Sequence, residues 1–284
     1  MLKQDCSRIT LHLRVTHQDT IPGWLGRAMQ GIYLHAMEAI SPEVSLALHN
    51  GSAYHPYTLS DVLPMAWTEL RELRRGETLT VILTTLHPEV TMLTLNAIVP
   101  TWVEQGIDLH GQLMPVDRAE VHTTSYEGLL EAAAQQADRY IQMRFLTPTS
   151  VKKSRPPSAD GERRESAVLP LPNPDRVFIS LYERWNCFAP VKLPEALRDY
   201  LSHEILLHYC NIRTHYVDRQ RANKGGTTGF MGDVTFYCDS RVQPYFSFAH
   251  ALAAFAPYSG VGIKTTQGMG TVQFMPRIER ASHT

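Results

Sequence analysis

Tyr258-Ser259-Gly260-Val261-Gly262-Ile263-Lys264-Thr265-Thr266-Gln267-Gly268-Met269-Gly270 is the stretch from which the rest of the chain is best read. Two Gly-X-Gly pairs bracket a Lys-Thr-Thr segment, and glycine permits the φ > 0 conformations and close backbone approach that a phosphate-cradling loop needs. The apolar run Tyr245 to Ala256 before it reads as a helix, and Thr271 to Met275 after it reads as a strand. That order matters. A dinucleotide fingerprint leaves a strand and opens a helix, and a Walker A loop ends in Lys followed by Ser or Thr, whereas Gly268 is followed by Met269. Two readings survive: a loop that grips phosphate, or a tight helix-to-strand connection whose glycines only relieve strain. Four glycines around a lysine favour the first.

Upstream of the loop, Arg139 to Leu146 begins a strand, Val177 to Phe188 and Pro194 to Tyr209 read as consecutive helices, and Ile212 to Val217 and Phe230 to Cys238 alternate as strands. Phe178, Leu181, Trp185 and Phe188 recur at helical spacing and are expected in the core. Thr147 to Pro174 is rich in proline and carries a basic run at Lys152 to Arg155, which predicts a long mobile loop; Asp218 to Gly229 is an Arg-, Lys- and Gly-rich connection.

In the first half, Ile9, Leu11, Leu13 and Val15 alternate with polar residues as a strand. Leu25, Met29, Ile32, Ala36 and Ala39 line one face of a helix running to Ile40, and Ser41-Pro42 starts a short helix to His49. Tyr57 to Ser60 and Thr78 to Leu86 are strand-like, with Glu69 to Arg75 a charged connection between them. A helix from His87 to Gln105 and a strand from Gln112 to Ser125 follow. The order β-α-β-β-α-β is the ferredoxin-like motif. The second half repeats it with an extra helix. The expected fold is therefore α+β, two tandem ferredoxin-like (RRM-like) domains over 1–126 and 127–284, each an antiparallel sheet with helices on one face, joined by a linker helix near Gly128 to Gln136.

Composition narrows the partners. The 284 residues carry a formal charge of −1, so nucleic-acid binding would need local basic patches. Cys6, Cys187, Cys210 and Cys238 form no C-x-x-C pair, which argues against a zinc ribbon or disulfide framework and for a reducing cytoplasm. No signal peptide is expected, because Met1 to Val15 alternates as a strand and not as a secretory apolar run, and no membrane span, because Val81 to Val99 is broken by His87, Pro88, Glu89 and Asn96.

Gly260 to Gly270, between an apolar helix and a terminal strand, resembles the carboxyl-terminal glycine-rich loop of the CRISPR repeat-processing endoribonucleases of the RAMP superfamily. Gln30 to Tyr33 leading through Ser41-Pro42 to His49 and Tyr57 to Ser60, then Arg144 to Thr149, then Gly229 to Val234 agree with that family in order. The resemblance implies a metal-independent cut within the repeats of a CRISPR precursor RNA, by attack of a 2′-hydroxyl on the adjacent phosphate. The products are a 2′,3′-cyclic phosphate and a 5′-hydroxyl, and no cofactor is called for. Such chemistry needs a base, an acid and donors for the phosphorane. His49 matches the usual position of the family's catalytic histidine. His55 falls where some members carry lysine, and Tyr33 or His35 where others place tyrosine or histidine; residues two apart on a helix point about 200° apart, so at most one faces the site, and Tyr33 is preferred. The RNA footprint implied is Gly260, Gly262, Lys264, Thr265, Thr266, Gly268 and Gly270, with Arg219, Arg221 and Lys224 and the pair Lys152 and Lys153. CRISPR repeat RNA is the expected partner. CRISPR effector-complex subunits and a second copy of the chain are further candidates.

Two other readings stay open on sequence. One is a non-catalytic RAMP subunit that coats guide RNA in an effector complex. The other is a tandem ferredoxin-like metabolic enzyme with a phosphate-binding glycine loop.

Overall fold

A computed structural model describes residues 5–49, 54–153, 166–217 and 226–275. Strand β1 (Cys6–Arg14) is followed by β2 (Asp19–Pro22), helices α1 (Gly26–Ile40) and α2 (Pro42–His49), then β3 (Tyr57–Leu59), β4 (Leu70–Leu73) and β5 (Thr78–Thr85). Helix α3 (Pro88–Leu93) passes through a π-helical turn (Thr94–Ile98) into α4 (Val99–Gln105), and β6 (Ile107–Leu109), β7 (Gln112–Met114) and β8 (Val116–Thr124) complete the first half. Helix α5 (Tyr126–Ala134) leads to β9 (Tyr140–Thr149), β10 (Val151–Lys153) and β11 (Ala167–Leu169). Then come α6 (Pro174–Phe188), α7 (Leu197–His203), β12 (Ile205–Val217), β13 (Thr227–Cys238), α8 (Tyr245–Ser259) and β14 (Val272–Phe274).

The two main sheets have the orders β3-β5-β1-β8 and β12-β13-β9-β14, all antiparallel. Each places its first and third principal strands at the centre, which is the ferredoxin-like arrangement, and the chain carries two of them in tandem. The alternation of β1 fixes its register: Ile9, Leu11 and Leu13 turn inward and meet Met29, Tyr33 and Met37 of α1. The π turn has a local cause. Pro100 lacks an N–H and crowds the preceding turn, and the backbone widens so that the Val99 N–H donates to the Thr94 carbonyl, five residues back.

Some expected boundaries shift. Glu69 to Arg75 is not simply a connection, since β4 within it pairs with β2. Gln112 to Ser125 is not one strand: β6 and β7 form a hairpin on His110 (φ 55°) and Gly111 (φ 80°), two left-handed residues that match a tight two-residue turn, and β8 starts only at Val116. The helix expected to reach Tyr209 stops at His203, because Ile205 to Val217 is drawn into an edge strand by pairing with β13 along its length. Within the proline-rich segment, β10 and β11 pair with each other, while 154–165 lie outside the described residues.

Buried apolar side chains gather in two clusters, one from β1 to β8 and one from β9 to β14. Cys6, Leu86 and Tyr126 belong to the second, so the first half contributes to the second core. The glycine stretch joins them further. Thr265 to Gly268 runs beside edge strand β3: the Leu59 N–H donates to the Thr265 carbonyl (2.9 Å), the Gly268 N–H to the Leu59 carbonyl (3.1 Å) and the Asp61 N–H to the Gly268 carbonyl (3.2 Å). Arg8 of β1 reaches the carbonyls of Pro257 and Val272.

Asp61 sits at this junction, its Oδ1 accepting the Leu25 N–H at 2.7 Å at the start of α1 while Oδ2 has no hydrogen-bond partner among the described residues. Burial pushes its carboxyl up to about 7, against the opposing pull of the Leu25 and Val62 amides and the Arg71 charge. A folded-state pKa above the unfolded one means that folding takes up a proton. The contribution is therefore complete below about pH 4 and is lost as pH rises towards 7. Asp61→Asn is expected to flatten that slope, so that urea denaturation shows the variant gaining on the parent by on the order of 2–4 kcal/mol between pH 4 and pH 8.

Candidate functional site

The glycine loop is held from below and behind. Arg184, on α6, is 3% exposed and sends Nη1 to the Ser259 carbonyl (2.6 Å) and the Thr265 hydroxyl (2.8 Å), and Nη2 to the Gly262 carbonyl (3.0 Å). Ser180 Oγ accepts the Gly262 N–H, and Ser150 and Pro148 carbonyls accept those of Ile263 and Gly270. Gly262 (φ 82°) and Gly270 (φ 75°) are dictated by packing as well as by conformation: a Cβ at Gly262 would lie 2.0 Å from the Ser150 oxygen, and one at Gly270 2.2 Å from the Val261 oxygen. Lys264 itself is left-handed, φ 54°.

This geometry corrects the simplest picture of a phosphate cradle. Most loop amides are committed to protein carbonyls, and the two threonine hydroxyls face inward: Thr265 to Arg184, Thr266 to Gln30 of α1 at 3.1 Å. The amides of Thr265 and Thr266 have no acceptor among the described residues. They cap a turn closed by the Gln267 N–H and the Lys264 carbonyl.

In front of the turn opens a cleft of about 570 Å³ between the two halves, walled by α6, β10, the glycine loop and the segment entering β3. Its cations are Lys152, Arg176, Arg184 and Lys264, and its lining carboxylate, Glu183, is already engaged by the Tyr54 hydroxyl and by Arg198 at 3.3 Å. The Lys264 ammonium donates to the Thr227 hydroxyl at 2.6 Å, which holds it at the mouth. The Arg184 guanidinium lies 5.3 Å from the Tyr54 ring centroid. With its Nε unpartnered, and with burial lowering its pKa to about 10, it is a desolvated positive charge that a bound anion would stabilise.

His55 lines this cleft with Gly262, Lys264, Thr265, Thr266 and Lys152, its ring 5.9 Å from that of Tyr57. Gly260, Gly268 and Gly270 shape the loop from behind. Lys153 is exposed on β10 beside Lys152. Tyr33 does not reach the cleft: it is fully buried, its hydroxyl lies 2.9 Å from that of Thr94, and burial raises its pKa well above the usual phenol range. Tyr33, preferred over His35 on sequence, therefore stands in the core with its hydroxyl against Thr94, away from the cleft. His35 is exposed on α1 and is not among the cleft-lining residues. His49 is the last residue of α2; Arg219, Arg221 and Lys224 lie outside the described residues. Arg184 escaped the sequence reading, although a signal was there: Val177, Leu181, Arg184 and Phe188 share one helical stripe, and a guanidinium on an apolar stripe must find buried partners.

Two ferredoxin-like domains in tandem, tied together by an inward-pinned glycine loop, form the frame of the site. The family model described as "CRISPR-associated endoribonuclease Cas6" matches residues 143–272. A curated CRISPR-associated endoribonuclease Cas6 from Streptococcus thermophilus is 25% identical over 169 residues, which is 58% of this chain and 63% of that relative's length. Among solved structures, a Cas6 from Thermus thermophilus in a product complex superposes with a TM-score of 0.76 at 26% identity, over 96% of this chain and 100% of that one. A Cas6-related protein from Pyrococcus furiosus superposes at 0.67 and 14% identity over 96% and 100%. The resemblance read from the motifs holds: the chain is Cas6-like in sequence through its second half and in fold along nearly its whole length.

Proposed function

We propose that the protein is a metal-independent endoribonuclease that cuts CRISPR precursor RNA within its repeats. The observation that carries this reading is the cleft, where a histidine of the first half, His55, shares one wall system with Lys264, Arg184 and Lys152 of the second. The scissile phosphate would lie against the Thr265 and Thr266 amides, above Arg184. The 2′-hydroxyl loses its proton to a base and its oxygen bonds to phosphorus; the bond to the 5′-oxygen breaks, and that oxygen takes a proton from an acid. His49 is assigned to the proton transfers. Imidazole suits both steps because its unperturbed pKa lies near neutrality. The cleft cations offset the charge that accumulates on the phosphorane.

The test is to incubate the protein with repeat RNA in EDTA and map the ends. A cyclic phosphate and a 5′-hydroxyl at one repeat position support the proposal, and an RNA with a single 2′-deoxy at that position should bind without being cut. Binding of the native repeat without cleavage would instead identify a non-catalytic guide-binding subunit. Lys264→Ala is expected to weaken RNA binding and to reduce the slope of log affinity against log salt by about 1, as one phosphate contact does; an unchanged affinity would remove Lys264 from the footprint.

A further inference from the structure

Helices cover only one face of the second sheet, where Phe178 of α6 meets Phe236 of β13 edge-on at 5.2 Å. The opposite face is partly open, with Arg144, Asn211 and Arg213 exposed and Met231 and Thr235 buried. Register pairs Asn211 with Asp233, Arg213 with Met231, and Asp233 with Arg144, so these residues stand together on that open face. Trp67, from the first half, leans across it: the Arg213 guanidinium lies 4.5 Å from its ring centroid, and the His215 ring meets it edge-on at 5.0 Å. A hollow of about 340 Å³ opens beneath, lined by Trp67, Arg144, Asn211, Arg213, Met231 and Asp233 among others.

Three features of the hollow are unusual for a surface that is only structural. Trp67 remains 46% exposed, a large ring half in water. Arg213 forms no ion pair among the described residues, and its guanidinium lies over the tryptophan face. Asn211 is exposed and its side-chain amide makes no hydrogen bond among the described residues. A flat ring, a guanidinium plane and a free amide carrying both a donor and an acceptor are what recognises the face and the edge of a nucleobase. The volume lies within the range of small-ligand sites. Further along the same face, Tyr209 is 54% exposed opposite Thr235, a second ring available for stacking.

We infer that this hollow holds an unpaired nucleobase of the RNA, stacked on Trp67 and Arg213 with its edge read by Asn211, and that the adjacent nucleotide lies towards Tyr209. The inference rests on the reading that the chain binds RNA, and it concerns a segment apart from the scissile phosphate. It gives the protein a grip on single strand that the glycine loop does not supply.

The test uses the full chain and a short unstructured RNA oligonucleotide, with an RNA stem lacking single-stranded ends as the comparison. Trp67→Ala and Arg213→Ala should each weaken binding of the single strand by about tenfold and leave the stem within about twofold, as the loss of one stacked base implies. Trp67→Phe should recover part of the loss. Because Trp67 also bridges the two halves, Asn211→Ala provides the independent arm: it removes no side-chain hydrogen bond among the described residues, and it should change the ranking of purine against pyrimidine oligonucleotides without shifting the melting temperature. Single-strand affinity unchanged in Trp67→Ala, or an equal loss for strand and stem, would overturn the inference, as would an unchanged base ranking in Asn211→Ala. These outcomes are separable from those of the cleavage assay. A protein that binds single strand through Trp67 but never cuts repeat RNA refutes the nuclease and keeps the nucleobase site; one that cuts normally with Trp67→Ala binding single strand normally does the reverse.

Discussion

His49→Ala is expected to slow cleavage of repeat RNA by roughly 10²–10⁴-fold, the usual contribution of a positioned acid or base, while binding of the uncut repeat stays within a few-fold of the parent. The split between rate and affinity is the diagnostic part. A residue that moves protons acts mainly in the transition state, and its loss lowers the rate without lifting bound RNA out of the cleft. His55 separates further by substitution. It stands among Lys152, Arg184 and Lys264 in the cleft wall, a cationic setting in which a further positive group would help to neutralise the phosphorane. His55→Lys should therefore retain most of the activity that His55→Ala loses, by a margin of about tenfold or more. If lysine proves as poor as alanine, the imidazole at 55 transfers a proton and the electrostatic role is wrong. Single-turnover rates with end-labelled repeat RNA measure all three variants, and a His49→Ala protein that cuts at the parent's rate would dismiss the catalytic assignment of His49 altogether.

The element order was readable because strands and helices here obey their own periods. Ile9, Leu11 and Leu13 at period two, and Met29, Tyr33 and Met37 on one face of α1, specify a layer of sheet against a layer of helix, and their repetition in the second half gives the tandem fold. What stayed hidden depends on contacts distant in sequence. Ile205 to Tyr209 has no alternation, since Leu206, Leu207 and Tyr209 are all exposed on an edge strand, and only pairing with β13 makes it extended. Tyr33 carries a catalytic-looking hydroxyl whose partner, Thr94, is brought to it by the turn beyond α3. The glycine loop was legible as special, but its lysine and glycines drew attention towards a ligand, whereas Thr265 and most of its amides are bonded within the second half, and Thr266, the Gly268 amide and the Thr265 and Gly268 carbonyls tie it to the first. Periodicity locates elements; it does not say which polar atoms are already spoken for.

Arg184→Met is expected to be the most damaging single change outside the catalytic set, because one side chain supplies the donors for three acceptors of the loop. Methionine fills a similar volume, so the loss is chiefly of hydrogen bonds and charge and only slightly of packing. The Ser259 and Gly262 carbonyls and the Thr265 hydroxyl would lose their guanidinium donors, and no other donor to them is supplied by α6. Removing the charge does relieve a desolvation cost, the same cost that lowers the pKa of the guanidinium to about 10, and this offsets part of the damage. Charge-assisted hydrogen bonds contribute about 1.5–3 kcal/mol each, so the net loss of stability is placed at about 2–4 kcal/mol, readable as a shifted urea midpoint. The effect on RNA should exceed what stability alone predicts. With Thr265 released, the turn that presents its amide and that of Thr266 to the cleft loses its anchor, and the buried charge beneath the expected phosphate is gone as well. Under conditions where the variant is fully folded, repeat RNA should bind at least tenfold more weakly, with a shallower dependence on salt. Arg184→Lys discriminates between the two causes: its ammonium keeps the charge but cannot span three acceptors in the plane of a guanidinium. Affinity restored by lysine while stability stays low would assign Arg184 to the phosphate; stability and affinity falling together in both variants would make it the pin of the loop and nothing more.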